Sequence, residues 1–289
     1  MTRLLVDPFT APYMQRALLM AVLLGVMAGL VGVHVSLRRL AFMADTYTHT
    51  VFPGMAVAFA MGTSITAGAL VSGVFSAVVF TVIGRSRRVT SDAALAVTLT
   101  SFFALGVVVI GRTERYTADL TGLLFGRILT VDRTQIIEVA LVLATVAAVL
   151  ALTHKELVLV AFDPDGAAAL GYPTGRIDLF VNILIVLVVV AAARSVGTLL
   201  TMALLITPAA TARLVSRSVG AMYVTAAGVG ALGGWLGLGV SHRLSVTRDL
   251  RLAPAATIVV ATTVLFAVVL VGRTVARSVE RRDTGPRAG

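Results

Sequence analysis

The strongest constraint on this chain is a series of long apolar segments, each near the length that crosses a lipid bilayer. A membrane-spanning helix needs about 20 apolar residues to cross a hydrocarbon core about 30 Å thick. The sequence contains nine such segments, separated by glycine, proline or arginine. Hydrophobic residues make up 58% of the 289 residues and charged residues only 13%, which excludes a cytosolic enzyme. The chain is predicted to be an all-α, polytopic transmembrane bundle with eight to nine spans.

The nine segments are predicted to form a single membrane domain over residues 1–289. The second segment starts with polar residues and the seventh contains Pro208, so eight spans also fit the pattern. Glycines spaced by four, as at Gly25 and Gly29 or at Gly230 and Gly234, permit close contact between helix backbones. The predicted limits of the segments are 17–37, 44–61, 65–84, 91–110, 134–153, 177–193, 196–215, 219–240 and 255–272.

The arginine clusters predict an orientation in the membrane. The net charge is +10, and the arginines sit in short connections between apolar runs, as in cytoplasmic loops and not as in a nucleic-acid-binding protein. With the N-terminus outside, most of these connections and the basic tail 273–289 face the cytoplasm. The loop 242–251 is the exception. The long connection 111–133 then lies outside, and the connection 154–176 lies inside.

The second segment carries a candidate metal site. Asp45 and His49 are four residues apart, which places both on one face of a helix. A carboxylate and an imidazole on one face form a partial site for Mn²⁺ or Zn²⁺. Alternatively, Asp45 caps the helix and His49 hydrogen-bonds to a neighbour. Pro53 and Gly54 predict a break in the helix, of the kind tolerated in membranes where backbone lines a cavity.

Three further residues are weaker candidates. His34 lies within the first apolar segment, where it either faces the pore or packs as a satisfied histidine. Asp119, on the outer connection, either guides cations toward a mouth or is an ordinary solvated loop charge. Pro208 is a second candidate break, because proline cannot complete helical hydrogen bonding.

Several kinds of chemistry are excluded by missing motifs. The only lysine is Lys155, and the phosphate-binding pattern Gly-x-x-x-x-Gly-Lys-Ser/Thr does not occur. Any ATP must therefore be hydrolysed by a partner. The chain has no cysteine, no His-Glu-x-x-His and no Gly-x-Ser-x-Gly, so an intramembrane enzyme is disfavoured. No tightly bound cofactor is predicted.

The inner connection has a composition of its own. A charged start with Glu156 leads to a turn at Phe162 and Asp163, and an alanine-rich short helix containing Ala168 then ends at Gly171. Such a helix on the cytoplasmic face could dock a soluble partner. An ordinary interfacial loop is the alternative.

These segments together resemble the permeases of the manganese, zinc and iron chelate-type importers, the ABC-3 type of ABC transporter. Where the family commonly has Asp-Ala-Leu-Ser-His and Leu-Pro-Gly, this chain has Asp45-Thr-Tyr-Thr-His49 and Phe52-Pro53-Gly54. The resemblance runs from the first span to near residue 255. The other matching stretches are 37–41, 124–126, Glu156 with Phe162 and Asp163, Ala168, Gly171, 195–200 and 203–212.

The resemblance implies the permease fold of a type II ABC importer in a prokaryotic cell membrane. It implies a permease homodimer among membrane lipids, with two ATP-binding subunits below and an extracytoplasmic solute-binding protein above. Asp45 and His49 would line the ion pathway, and Glu156, Phe162, Asp163, Ala168 and Gly171 would meet the ATPase. The transported ion would be Zn²⁺ first and Mn²⁺ next, with Fe²⁺ as a further candidate, since the surroundings of His34 and Phe42 look more like zinc-import members.

The sequence also departs from the family pattern. Tyr47 places a bulky polar ring where the family is generally aliphatic, and the Asp-Leu-Pro-x-Gly motif is stretched from Asp249 without its glycine. Two other classes of function remain open at this stage. An ion-coupled secondary transporter could use Asp45 and His49 as a relay, and a membrane scaffold would transport nothing.

Overall fold

The described structure is helical throughout its regular elements. The computed structural model describes residues 7–38, 40–86, 88–111, 126, 128–248 and 252–283. Two short 3₁₀ turns, Asp7–Thr10 and Ile128–Thr130, accompany the α-helices. The α-helices are α1 (Pro12–Leu37), α2 (Phe42–Thr50), α3 (Phe52–Ala60), α4 (Ile65–Gly84), α5 (Ser91–Ile110), α6 (Arg133–Leu152), α7 (His154–Phe162), α8 (Pro164–Ala169), α9 (Thr174–Val215), α10 (Val219–Arg248) and α11 (Pro254–Asp283).

Seven helices within the described ranges are long and apolar enough to cross a membrane: α1, α4, α5, α6, α9, α10 and α11. The all-α membrane fold is thus confirmed, and the number of long helices is smaller than the predicted eight to nine spans for two reasons. The second predicted segment forms two helices of nine residues each, α2 and α3. The sixth and seventh predicted segments are continuous in α9.

Helix α9 contains a sharp backbone break at Gly197. A straight helix of its 42 residues would be about 63 Å long, roughly twice what a bilayer core requires. At Gly197 the backbone adopts φ 80° and ψ 168°, which is open to glycine because it has no Cβ. The chain therefore turns between two spanning halves close to the predicted boundary 193–196. The helix continues through Pro208, so no break is seen at this second candidate position.

Two helices extend beyond their predicted ends. Helix α10 continues to Arg248, so residues 242–248, predicted as a loop, are helical. Helix α11 continues to Asp283, through most of the predicted basic tail. Apolarity predicts only the part of a helix inside the hydrocarbon, whereas a hydrogen-bonded helix can continue into the water beyond it. Residues 284–289 and Asp249 lie outside the described residues.

The centre of the bundle is α1, which packs against α9 and α10. A Cβ added at Gly25 would lie 2.5 Å from the carbonyl oxygen of Gly230, and one added at Gly29 would lie 2.7 Å from that of Ala226. Backbone therefore touches backbone between α1 and α10. The close contact predicted from the glycine spacing is confirmed at these positions.

The helices α2 and α3 lie on another side of the bundle, against α4 and α5. A side chain at Gly54 would collide with the backbone of Gly68, so α3 and α4 also meet through glycines. The hydroxyls of Thr50 and Ser76 are 2.8 Å apart and join α2 to α4. These contacts fix the short helix that carries Asp45 and His49.

Candidate functional site

Asp45 and His49 form a close pair on one face of α2. Oδ1 of Asp45 lies 3.4 Å from Nε2 of His49, and the side chains are 30% and 37% exposed. The helix begins after Ala41 and has no side-chain cap, so Asp45 does not serve as the N-cap that the alternative interpretation required. The polar contact of Asp45 is with His49. A carboxylate oxygen and an imidazole nitrogen are thus accessible together.

The end of α2 is set by the residues that follow the pair. Pro53 has no N–H and cannot donate a hydrogen bond to the carbonyl of His49, and it lies in the first turn of α3, where proline is well tolerated. Val51 separates the two helices while keeping right-handed dihedral angles of −74° and −21°. Gly54 allows the close contact with α4. The helix boundary thus lies where Pro53 and Gly54 predicted a break, while their role in gating stays a prediction.

An aromatic pair lies beside His49. The rings of His49 and Phe103 meet edge to face, with centroids 5.7 Å apart and planes at 87°. Phe103 also stacks on Phe52, with centroids 6.0 Å apart. Phe52 was named only in the matching stretch Phe52-Pro53-Gly54, and Phe103 was not predicted to lie at the site. The sequence signal that could have indicated Phe103 is the pair Phe102-Phe103, the only aromatic residues of the fourth segment, 91–110.

A cavity of about 310 Å³ opens beside Asp45. Asp92, in the first turn of α5, lines the same cavity together with Thr46 and Thr100. A carboxylate at this place is favoured by the positive end of the helix dipole. Sequence analysis missed Asp92, although an acidic residue at the start of an apolar segment is a visible signal.

One copy of the chain offers Asp45 and His49 only an incomplete metal site. Within the described part of the chain, no three or more His, Cys, Asp or Glu side chains come together as a metal-binding group. Zn²⁺ usually takes four ligands, and Mn²⁺ favours oxygen-rich sites of higher coordination number. The pair can therefore hold a cation weakly, or share it with ligands from another molecule.

His34 and Asp119 are not seen to join this pair. His34 is 1% exposed, and its Nε2 lies 2.6 Å from the hydroxyl of Tyr223 on α10. The ring of Tyr223 also contacts that of His154, with centroids 5.7 Å apart. His34 is thus buried in the bundle and hydrogen-bonded through one ring nitrogen, and its role toward a metal stays a prediction. Asp119 lies outside the described residues.

Arg38 and Asp178 form an ion pair between the end of α1 and the start of α9. Nη1 of Arg38 lies 2.7 Å from Oδ1 of Asp178, and the side chains are 10% and 45% exposed. Burial lowers the pKa of the Arg38 guanidinium, and the carboxylate of Asp178 opposes that shift. In the sequence, Arg38 belongs to an arginine cluster and to the matching stretch 37–41, neither of which predicted a partner for it. No local pattern could have paired it with a residue so distant in sequence.

The inner connection folds as its sequence predicted. Helix α7 ends at Phe162, Asp163 accepts a 2.8 Å hydrogen bond from the backbone N–H of Gly166 at the start of α8, and Gly171 has a positive φ of 86°. The side chains of Phe162 and Leu170 are 68% and 71% exposed, and Ala168 is exposed too. Glu156 has one buried carboxylate oxygen without a partner in the described part of the chain. The role of these residues in docking an ATPase stays a prediction.

Comparison with known proteins adds an independent finding. The model of the ABC 3 transport family matches residues 10–273. The manganese transport system membrane protein MntC of Halalkalibacterium halodurans is 36% identical over 255 residues, which cover 88% of this chain and 85% of that protein. The chelated iron transport system membrane protein YfeD of Yersinia pestis is 30% identical, over 83% of this chain and 81% of its own length.

A solved structure agrees with these relatives. PsaBC from Streptococcus pneumoniae, in complex with Fab, is similar with a TM-score of 0.79 and 33% sequence identity, covering 93% of this chain and 95% of that one. The match extends over nearly the whole membrane bundle. Together with the family match and the transport-system relatives, it decides against the secondary transporter and the scaffold that the sequence left open, and against an enzyme. This multi-pass protein of the prokaryotic cell membrane belongs to the ABC 3 transport family, as a permease subunit.

Proposed function

We propose that this permease imports divalent transition-metal ions along a pathway lined by Asp45 and His49. The observation that carries the proposal is the pair itself, with 3.4 Å between its oxygen and nitrogen and about a third of each side chain exposed. Ionisable residues within membrane segments are costly and mark ion pathways.

Two copies of the chain would complete the site. Each copy contributes one carboxylate and one imidazole, and a twofold axis beside α2 would bring four ligands together. Homodimers with such an axis are the commonest symmetric assemblies. A site divided between two subunits also opens when the subunits move apart, which suits a pathway that must release its ion.

The proposed cargo is Mn²⁺ first, with Fe²⁺ and Zn²⁺ as competitors. The relatives described above are named for manganese and for chelated iron. Carboxylate and imidazole ligands without thiolate serve all three ions. The preference for zinc drawn from the surroundings of His34 and Phe42 has no support in those names, so manganese takes the first place in the proposal.

The proposed mechanism is alternating access. A solute-binding protein delivers the ion to the outer mouth, and separate ATP-binding subunits act on the segment formed by α7 and α8. The hydrogen bond from Gly166 to Asp163 stiffens this segment. The exposed side chains of Phe162 and Leu170 offer apolar surface for docking. Movement of this segment would then rock the two permeases and expose Asp45 and His49 to the cytoplasm.

Metal uptake by variants tests the proposal. We expect Asp45→Asn or His49→Ala to lower Mn²⁺ uptake in a complemented, metal-starved strain about tenfold or more, because a lost ligand costs at least about 1.4 kcal/mol. Uptake of radiolabelled manganese would be measured against the amount of protein in the membrane. Glu138→Gln is the matched control, since Glu138 is a carboxylate on α6 that lies 3.7 Å from Arg194 and away from α2.

Two results would decide the proposal. Normal uptake by Asp45→Asn and His49→Ala, at equal amounts in the membrane, would refute the pathway. Competition between metal ions for uptake tests which ion is the cargo. We expect excess unlabelled Mn²⁺ to suppress uptake of radiolabelled manganese more strongly than excess Zn²⁺ does. The reverse order would make zinc the first candidate for the cargo again.

A further inference from the structure

A polar cavity lies where the arginine-bearing ends of α1 and α4 meet the segment α7–α8. Its volume is about 400 Å³. Val160, Ala161 and Pro164 contribute the side formed by α7 and α8, and neither Asp45 nor His49 borders it. Its polar wall is formed by Arg38, Thr81, Arg85, Ser91, Asp178 and Asn182.

Arg38 lines this cavity and carries two donors that nothing in the described part of the chain accepts. Its Nη1 is paired with Asp178, but its Nε and Nη2 are buried and have no hydrogen-bond partner there. The side chain is only 10% exposed. A buried N–H without an acceptor is expensive, and on a guanidinium more so. The planar fork of arginine fits the oxygens of a phosphate or a carboxylate.

A second guanidinium reaches the cavity because Gly175 leaves room for it. A Cβ at Gly175 would collide with Nη2 of Arg85, and no other atoms lie as close to that position. Arg85 and Gly175 both line the cavity. Glycine near the start of a helix is otherwise unfavourable compared with alanine. Its presence here allows Arg85 to lie against α9.

The remaining wall favours an anion. The charged lining residues are Arg38, Arg85 and Asp178, which leaves one positive charge in excess. Ser91 and Thr174 also border the cavity, and they are the first residues of α5 and α9. The positive ends of two helix dipoles therefore point toward the same space.

Asn182 gives an independent sign that the cavity holds a ligand. It is 1% exposed, and its Nδ2 donates a 2.9 Å hydrogen bond to the hydroxyl of Thr81. Its Oδ1 has no partner in the described part of the chain. A buried amide oxygen on the wall of a cavity needs a donor, which the hydroxyl or ammonium of a phospholipid headgroup, or the proton of hydrogen phosphate, would supply.

We propose that this cavity binds a phosphate group, carried by the headgroup of a membrane phospholipid or present as free phosphate. The group would receive hydrogen bonds from Arg38 and Arg85 and would lie against α7 and α8. Basic pockets between membrane helices on the cytoplasmic side are suited to phosphorylated headgroups. The bound group would thus tie the spans to the segment proposed to meet the ATPase.

Native mass spectrometry of the delipidated full chain tests the proposal. Phosphatidylglycerol, phosphatidylethanolamine, inorganic phosphate and diacylglycerol of the same chain length would be added at matched concentrations. We expect the phosphate-bearing ligands to bind and diacylglycerol, which lacks the phosphate, not to bind. Binding of the phospholipids alone identifies a lipid site. Binding of inorganic phosphate that displaces the lipids shows that the phosphate group itself is recognised.

Two variants that should leave the fold intact locate the site. Arg85→Gln removes an exposed guanidinium, and Gly175→Ala displaces it with a methyl group. We expect each to weaken binding about tenfold, because a hydrogen bond to a charged group contributes about that factor. The matched controls are Arg88→Gln, in the same connection but outside the cavity, and Gly220→Ala, which faces open space at the start of α10.

The proposal fails on either of two results. Equal binding of diacylglycerol and phospholipid would show that the acyl chains alone are recognised. Equal loss in Arg85→Gln and Arg88→Gln, or no loss in Arg85→Gln and Gly175→Ala, would show that the cavity is not the site. Neither result bears on Asp45 and His49, so this proposal and the proposed pathway can fail separately.

Discussion

The helices around α1 and the helices around α2 hold together by different means. Helix α1 is enclosed by α9 and α10, and its backbone touches theirs at Gly25, Gly29 and Gly32. Helix α2 is short and polar and is attached to α4 through hydroxyl groups such as those of Thr50 and Ser76. At these glycines the first arrangement leaves no room for a side chain between the helices. The second leaves one helix face with ionisable side chains accessible.

The pair of Arg38 and Asp178 and the pair of Asp45 and His49 follow the same division. Arg38 and Asp178 join α1 to α9 at 2.7 Å, and the arginine is almost fully buried. Asp45 and His49 lie on one helix at 3.4 Å, with both side chains partly exposed. A pair that joins two helices stabilises the fold, whereas a loose pair within one helix can exchange its partner for an ion. Substitutions should therefore separate stability from transport.

The largest loss of stability is expected where backbones touch. Gly25→Val would push a branched side chain into the carbonyl of Gly230, which a Cβ alone would approach to 2.5 Å. We expect a cost of about 3 kcal/mol or more, seen as a lower unfolding temperature in detergent and a reduced monodisperse fraction. Gly228→Val is the control, because a Cβ there has open space. Similar unfolding temperatures for the two variants would show that α1 and α10 can separate at little cost.

The sequence predicted most of the bundle because apolarity and span length are local properties. The ends of α4 and α5 agree with the predicted limits, and the boundary near 193–196 lies beside the break at Gly197. Apolarity alone could not show at which residue the helical backbone is interrupted. The helix continues through Pro208, the second candidate break, whereas a glycine with positive φ makes the turn at the predicted boundary between the sixth and seventh segments.

The candidate site was predictable only in its local part. The spacing of Asp45 and His49 requires a helix and nothing more, so their proximity followed from sequence. The neighbours Phe103 and Asp92 belong to α5 and reach the pair only through packing. The ion pair of Arg38 and Asp178 depends on how α1 and α9 meet, which no spacing within either helix reveals.

A smaller loss of stability is expected at the ion pair of Arg38 and Asp178, and its size should depend on which partner is replaced. Asp178→Asn leaves the buried guanidinium of Arg38 without a charged partner, and we expect a cost of about 2 kcal/mol. Arg38→Gln leaves a carboxylate that is 45% exposed, and we expect a cost of about 1 kcal/mol. Thermal unfolding of the purified variants gives both values.

The same isosteric substitution at the other pair is the control. Asp45→Asn should change stability by less than about 0.5 kcal/mol, because the carboxylate is partly exposed and only loosely paired. Equal losses for Asp178→Asn and Asp45→Asn would remove the distinction between a structural pair and a pathway pair.

The smallest interaction between two helices is expected at the hydroxyl contact between α2 and α4. Ser76 donates to the carbonyl of Gly73 at 2.8 Å, so its single proton is used and Thr50 must be the donor in the contact between the two hydroxyls. A double-mutant cycle with Thr50→Val and Ser76→Ala should give a coupling of about 0.6 kcal/mol, as for other hydrogen bonds between membrane helices. Mn²⁺ uptake should stay within about twofold of normal, because a change this small leaves the position of α2 intact. A large fall in uptake with little loss of stability would mean that Thr50 acts on the ion pathway, and the hydroxyl contact would then belong to the site and not to the scaffold.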